Sequence, residues 1–316
     1  MKFKNLPKSW RGININIIAT ESVADVTDKY TIEFSNAKIN CTAEFYIPKT
    51  EGNRFFMNGN QYVVWYRLCK PICSVEYINN KQVLYIHNIL TRPDRIENYD
   101  MKFYIEDGQV ICEYKNKKYS IDNTYLHDIF YSYWFMNSDR DDLNEFIGSE
   151  SEANYITHED VINIKYILEN EPNYVTNWKD IFSMRIIGLE DLIESVIMLS
   201  IPKALKNFFK GSIDSQILTR NVRSFLATDS PEIRIDLNDT KIGSYAQNKK
   251  VILPFDNYCD VNEIIPDKTW FKYLDLLDSP QSIKVGSVAS FVDNVQIVNK
   301  KIKVDLNEML NFYASI

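Results

Sequence analysis

Side chains able to bind a metal are few and scattered. Cys69 and Cys73 form the only close cysteine pair. A zinc site of that kind needs a second such pair or nearby histidines. The three histidines, His87, His127 and His158, stand far apart in the sequence. The cysteine pair also closes a strand-like run, so buried thiols are expected. Asp139, Asp141 and Asp142 form an acidic cluster that could bind a cation or begin a helix, where negative charge is favoured. The helix start is the expected reading. The sequence holds no Gly-x-Ser-x-Gly elbow and no glycine-rich phosphate loop. No nucleophile–base pair is legible, and the sequence offers no catalytic site of its own.

One stretch is locally basic and rich in donors. Lys203, Lys206 and Lys210 precede Gln216, Arg220 and Arg223, with Ser212, Ser215, Thr219 and Asn221 among them. Such side chains suit phosphates and sugars, and they would serve equally as a solvated helix face and loop. The net charge of −7 limits the choice. A protein that binds nucleic acid unaided draws its affinity from neutralising phosphates and is usually basic. A basic strip on an acidic chain implies work inside a larger assembly.

The elements that position these residues follow from pattern. Residues 12–20, 37–48 and 61–68 read as strands, being β-branched, aromatic and in part alternating. Asn58-Gly59, Asn79-Asn80 and Asp107-Gly108 each separate two such runs and predict two-residue hairpins. From about residue 122 the period becomes helical. Helices are expected over 123–135, over 138–147 with Gly148 as the stop, and after Thr157 with Val161, Ile164, Ile167 and Leu168 facing inward. Leu189, Leu192, Ile193, Val196 and Ile197 mark a helix over 189–199, ended by Ile201-Pro202. A short helix over 203–209 follows, with Gly211 after it. From about residue 221 the chain reads as strands and loops, with 251–254, 284–291 and 295–304 extended.

Composition sets further bounds. With 316 residues, 45% hydrophobic and 25% charged, the chain can fill two modest cores. Five cysteines without a disulfide framework fit a reducing interior. Residues 1–11 lack an apolar signal core, and no stretch reaches the about 18 apolar residues that span a bilayer. A soluble protein, inside a cell or packaged in a particle, is expected. The β–α–β block order predicts an α+β fold in which a helix-rich module lies between or after β-rich parts.

Several segments taken in order resemble the β subunit of multisubunit RNA polymerases. The run from Phe55 through Asn58-Gly59 to Val64 is similar to that family's Phe-Ile-Ile-Asn-Gly-x-Glu-Arg-Val motif. Phe45-Tyr46-Ile47-Pro48 stands where the family has Ile-Pro-Leu-Met-Thr. Residues 118–147 resemble its Pro-x-Thr-x-Leu-Leu helix and the acidic helix that follows. Trp178 to Ile186 is similar to its Asp-Asp-Ile-Asp-His stretch. Phe208-Phe209-Lys210-Gly211-Ser212 with Ser215-Gln216 resembles Phe-Phe-Gly-Ser-Ser-Gln-Leu-Ser-Gln. Thr219 to Arg223 matches Thr-His-Lys-Arg-Arg with a shortened loop before it. Thr269-Trp270-Phe271 and Asp278 to Ser282 line up with Thr-His-Tyr and Glu-Thr-Pro-Glu-Gly. The resemblance spans about residues 40–290 and corresponds to the amino-terminal half of β. A β split at this place is similar to the polymerases of giant bacteriophages.

The resemblance implies an α+β protein with a β-subunit-like protrusion (residues 1–90 and 176–220), an inserted lobe (91–175) and a fork-like region (221–316) continued by a separate chain. It implies a non-catalytic part of a DNA-directed RNA polymerase that lines the channel for the RNA–DNA hybrid and for downstream and non-template DNA. Gln216, Arg220, Arg223, Arg67, Ser279 and Gln281 are its implied nucleic-acid contacts. Arg220 and Arg67 replace a histidine and a glutamine, and both changes suit a phosphate neighbour. Ser279-Pro280-Gln281 replaces Thr-Pro-Glu, so the acidic role is lost there. No cofactor is expected on this chain. The Asp-x-Asp-x-Asp of a polymerase metal centre is absent from it, and the resemblance places magnesium on a β′-like partner. The implied partners are a β carboxy-terminal-half chain, β′-like chains, a promoter-specificity subunit, template DNA and the transcript, with no membrane. The implied location is the host cytoplasm or the virion. Trp65 stands where the family has a small aliphatic residue, which implies a filled rifamycin pocket. Two other classes remain open: a polymerase-derived protein that regulates host transcription, and a virion structural protein.

Overall fold

The computed structural model describes residues 3, 6, 8–91, 96–120, 137–153, 155–170, 175–228, 233–236, 240–253, 267–275, 288–298 and 300–304. The fold is mixed α and β. Its apolar residues gather into three main clusters, and the chain crosses between them more than once.

The first cluster rests on an antiparallel sheet of β1 (Ser9–Trp10), β2 (Ile13–Ala24), β3 (Thr27–Ser35) and β4 (Asn40–Pro48), in that order. Strict alternation along β3 sends Tyr30, Ile32 and Phe34 inward, beside Ala43, Phe45 and Ile47 of β4. This is the period-2 signature of a half-buried strand. Helix α3 (Leu189–Ala204) lays Leu189, Leu192, Ile193, Val196, Ile197 and Ile201 on the same core. Its first turn is capped from elsewhere in the fold. Leu189 N donates to Asn53 Oδ1 (3.1 Å), and Gly188 N donates to Asp191 Oδ2 (3.0 Å). A small sheet of β5 (Thr50–Glu51), β6 (Arg54–Met57), β7 (Asn60–Val64) and β15 (Ile233–Ile235) completes this part, in the order β15-β7-β6-β5.

The second cluster is a five-stranded antiparallel sheet covered by two helices. Its strands are β9 (Cys73–Ile78), β10 (Lys81–Thr91), β11 (Ile96–Glu106), β12 (Gln109–Tyr114) and β13 (Lys117–Ser120). The helices are α1 (Asn137–Ile147) and α2 (His158–Asn170). The boundary drawn at residue 90 falls inside β10. The third cluster joins distant segments. Its sheet runs β14 (Arg185–Ile187), β8 (Tyr66–Cys69), β16 (Lys250–Ile252), β18 (Val288–Phe291) and β17 (Leu274–Asp275), with β8 and β16 parallel. The hairpin of β19 (Val295–Val298) and β20 (Lys301–Val304) packs against it.

All three predicted hairpin turns form, with positive φ at Asn58 and Gly59, Asn79 and Asn80, and Asp107 and Gly108. Gly148 ends α1 at φ 66°. Thr157 caps α2: its Oγ1 accepts from Asp160 N, and its N donates to Asp160 Oδ2. The helix expected over 123–135 lies outside the described residues. Three expectations are corrected. The α3 helix does not break at Ile201-Pro202 but runs to Ala204, because Pro202 sits in the last turn, where its missing N–H costs a single bond. The short helix after it is a 3-10 turn over Leu205–Lys210 that closes on Gly211 at φ 77°. The stretch after residue 221 is not all strand and loop, since it holds α4 (Gln216–Leu226) and α5 (Lys241–Asn248). Among the described residues, no helix is long and apolar enough to cross a membrane.

Candidate nucleic-acid interface

Helix α4 carries the basic strip. Leu218, Val222, Phe225 and Leu226 recur at i, i+4, i+7 and i+8 and are buried against the first core. That leaves Gln216, Arg220 and Arg223 on the opposite, exposed face, near-neighbours on one side of the helix. Two hydrogen bonds fix the helix in place. Tyr46 N, on β4, donates to Thr219 Oγ1 (3.0 Å), so β4 spends a backbone donor on α4. Asn221 Nδ2 donates to Ser200 Oγ of α3 (2.8 Å).

Between α4 and β4 lies an open groove of about 760 Å³, lined by Glu44 and Tyr46 on one side and by Gln216, Thr219, Arg220 and Arg223 on the other. Glu44 already faces a cation, with its carboxylate 3.3 Å from Lys29 Nζ. Lys29 also pairs with Glu21 at 2.9 Å. Among the described residues, neither Arg220 nor Arg223 has an ion-pair partner. Two exposed guanidinium groups and an amide therefore face the groove with their donors uncommitted. Such a surface can bind the phosphates and sugars of a strand lying along it.

The other expected contacts do not join this groove. Arg67 is half-buried on β8, in register with Ile187 of β14 and Ile252 of β16. It belongs to the third sheet and does not line the groove. Ser279 and Gln281 lie outside the described residues. Trp65 is buried. Its Nε1 donates to Gln247 Oε1 (2.9 Å), and the Arg234 guanidinium lies 5.0 Å above its ring. Tyr62, where the resemblance has an arginine, stacks on Phe55 with ring centroids 5.0 Å apart.

The acidic cluster does more than begin α1. Asp139 is buried, 3.3 Å from both Arg185 Nη1 and Lys300 Nζ. Lys300 also reaches Asp191 of α3 at 3.8 Å. Arg185 further donates to the carbonyls of Lys70 and His87. A buried and a half-buried anion, with two buried cations, thus join α1, β14, α3 and the β19–β20 hairpin where the three clusters meet. Burial pushes the Asp191 carboxyl above the usual carboxylate range, despite Lys300 and the Gly188 N–H. Lys300 is held above the usual lysine value: burial acts to lower it, and Asp139 and Asp191 outweigh that. Sequence spacing gave no sign of this cluster, because its members lie up to 161 residues apart.

The expectation of no nucleophile–base pair is also corrected. Ser74 Oγ lies 2.8 Å from His87 Nε2, and His87 Nδ1 lies 2.9 Å from Asp100 Oδ1. Adjacent strands β9, β10 and β11 bring the three together, which no local motif announces. Ser74 is fully buried, so its hydroxyl meets no substrate and the arrangement is internal. Cys69 and Cys73 are buried thiols, as expected, and burial drives the Cys73 thiol far above its ordinary value. Among the described residues, no group of three or more His, Cys, Asp or Glu could hold a metal ion.

No family model matches the chain, and no curated protein matches it.

Proposed function

We propose that the chain is the non-catalytic amino-terminal part of a split β subunit of a multisubunit DNA-directed RNA polymerase, with a protrusion, an inserted lobe and a fork-like region. It lines the channel of the RNA–DNA hybrid and of downstream and non-template DNA. The magnesium centre lies on a β′-like partner, and a second chain supplies the rest of β. The observation that carries this reading is the exposed α4 face. Gln216, Arg220 and Arg223, drawn from the ordered resemblance, share one groove, and the two arginines have no ion-pair partner among the described residues. An acidic chain with a local cationic groove suits a channel wall held by other subunits.

The test is salt-dependent retention of a primed RNA–DNA scaffold by the assembled enzyme. Replacing Arg220 and Arg223 by alanine leaves two phosphates without a cation. The slope of log affinity against log salt then falls by about 0.9 for each such phosphate. An unchanged slope and affinity in the double variant would remove the groove from the channel. The buried, doubly held Trp65 also supports a filled rifamycin pocket. The assembled enzyme is expected to resist rifamycin, and inhibition at low micromolar drug would contradict that.

A further inference from the structure

The buried Ser74–His87–Asp100 relay has no role in the channel reading. His87 sits where two systems meet. Its ring joins β9 to β11 through Ser74 and Asp100. Its carbonyl accepts from Arg185 Nη2 (3.2 Å), the guanidinium at the centre of the buried charge cluster. Its backbone N donates to Ile72 O (2.7 Å), just before β9. One residue thus ties the five-stranded sheet to the junction of the three cores.

We propose that His87 is a pH-operated latch, closed while its ring is neutral, which holds the β9–β10 end of the five-stranded sheet onto Arg185.

The chemistry lies in the direction of one hydrogen bond. A neutral ring with its proton on Nδ1, beside Asp100, leaves Nε2 as the acceptor for the Ser74 hydroxyl. Protonation turns Nε2 into a donor. The hydroxyl must then reverse, and its own proton needs a new acceptor in a fully buried place. The charged groups around the ring are Asp100 from β11, which favours the cation, and Lys70 and Arg185 from β8–β9 and β14, which oppose it. Tyr85 stacks on the ring with centroids 5.4 Å apart and is held neutral by burial. Burial is the largest influence and keeps the ring below its ordinary value, with Asp100 acting the other way. The Asp100 side chain is 32% exposed, so protons reach the relay from its solvent end.

The sign follows from linkage. The closed latch holds a ring that resists protonation, while an opened latch exposes an ordinary histidine. Opening is therefore favoured about tenfold for each pH unit below about 6.5, until the closed ring itself titrates. Well above that value the latch is insensitive to pH.

The experiment is amide hydrogen exchange on the full chain, corrected for intrinsic rates, at about pH 7.5, 6.5 and 5.5, across the window of histidine titration. The peptides covering β9, β10 and residues 183–187 are expected to lose about fivefold in protection between the last two values and no more than about twofold between the first two. Peptides of the first cluster are expected to stay level. His87→Gln should abolish the dependence. Ring NMR on the unmodified chain gives a second reading that needs no variant: the His87 ring should titrate below the ordinary histidine value, neutral and Nε2-accepting at neutral pH. Equal protection at all three values, a pH dependence that survives in His87→Gln, or a ring already charged at neutral pH would each overturn the latch.

Discussion

Arg220 and Arg223 are exposed and unpaired among the described residues, so removing their charge should barely touch the fold. Each alanine variant is expected to change unfolding free energy by no more than about 0.5 kcal/mol. Both should weaken retention of the hybrid scaffold in the assembled enzyme. Buried charges behave in the opposite way. Lys300→Met leaves Asp139 and Asp191 short of a cation, and a urea titration should show a loss of about 3–5 kcal/mol. Asp160 gives a pH test. Burial acts to raise its carboxyl, but Arg140, the Thr157 N–H and the Ser149 hydroxyl outweigh burial and hold it below the usual carboxylate range. The unfolded chain therefore takes up that proton first as the solution is acidified. The stabilisation is complete above the ordinary aspartate value and is lost as pH falls through the folded one. Urea midpoints for Asp160→Asn should lack this part of the acid decline. A parallel decline in the variant would assign it to other carboxylates.

At the scale of elements, Gly188 separates β14 from α3 at ordinary negative φ, so close approach and not backbone freedom dictates the glycine. A Cβ there would meet Asn53 Oδ1 at 2.9 Å and Tyr66 Cε1 at 3.1 Å. Asn53 Oδ1 is also the acceptor that caps α3. Gly188→Ala should cost about 1–3 kcal/mol by displacing that cap, and thermal melting measures it. Elements written in local chemistry were legible in the sequence. The Asn-Gly and Asp-Gly turns, the Thr157 cap and the apolar stripe of α3 each need only a few neighbouring residues. The Lys115-Asn116 turn between β12 and β13 was not legible, since lysine has no preference for the positive φ of 51° that it adopts. Helix α4 was hidden for a related reason. Two arginines, a β-branched threonine and a start without a side-chain cap masked the spacing of Leu218, Val222 and Phe225. The helix is held by contact with α3 and β4, not by its own ends. Of the candidate site, the sequence carried the residue types of Gln216, Arg220 and Arg223. That they face Tyr46 across one groove, some 173 residues away along the chain from Thr219, is a tertiary fact.

Across the whole molecule, a chain of net charge −7 sets two cations without an ion-pair partner among the described residues, Arg220 and Arg223, on one groove and buries others, such as Arg140, Arg185 and Lys300, within ion pairs. The three cores are interwoven, with residues 64–69 contributing to the first and third and the strand that follows to the second. On the proposed reading, a chain built this way acts through the subunits it is assembled with. The direct test is co-expression with candidate β carboxy-half and β′-type chains of the same genome, followed by purification through a tag on this chain. The account predicts a stoichiometric complex that extends RNA on a primed scaffold. Recovery of a stable, partner-free monomer from that co-expression would contradict it and favour a polymerase-derived regulator.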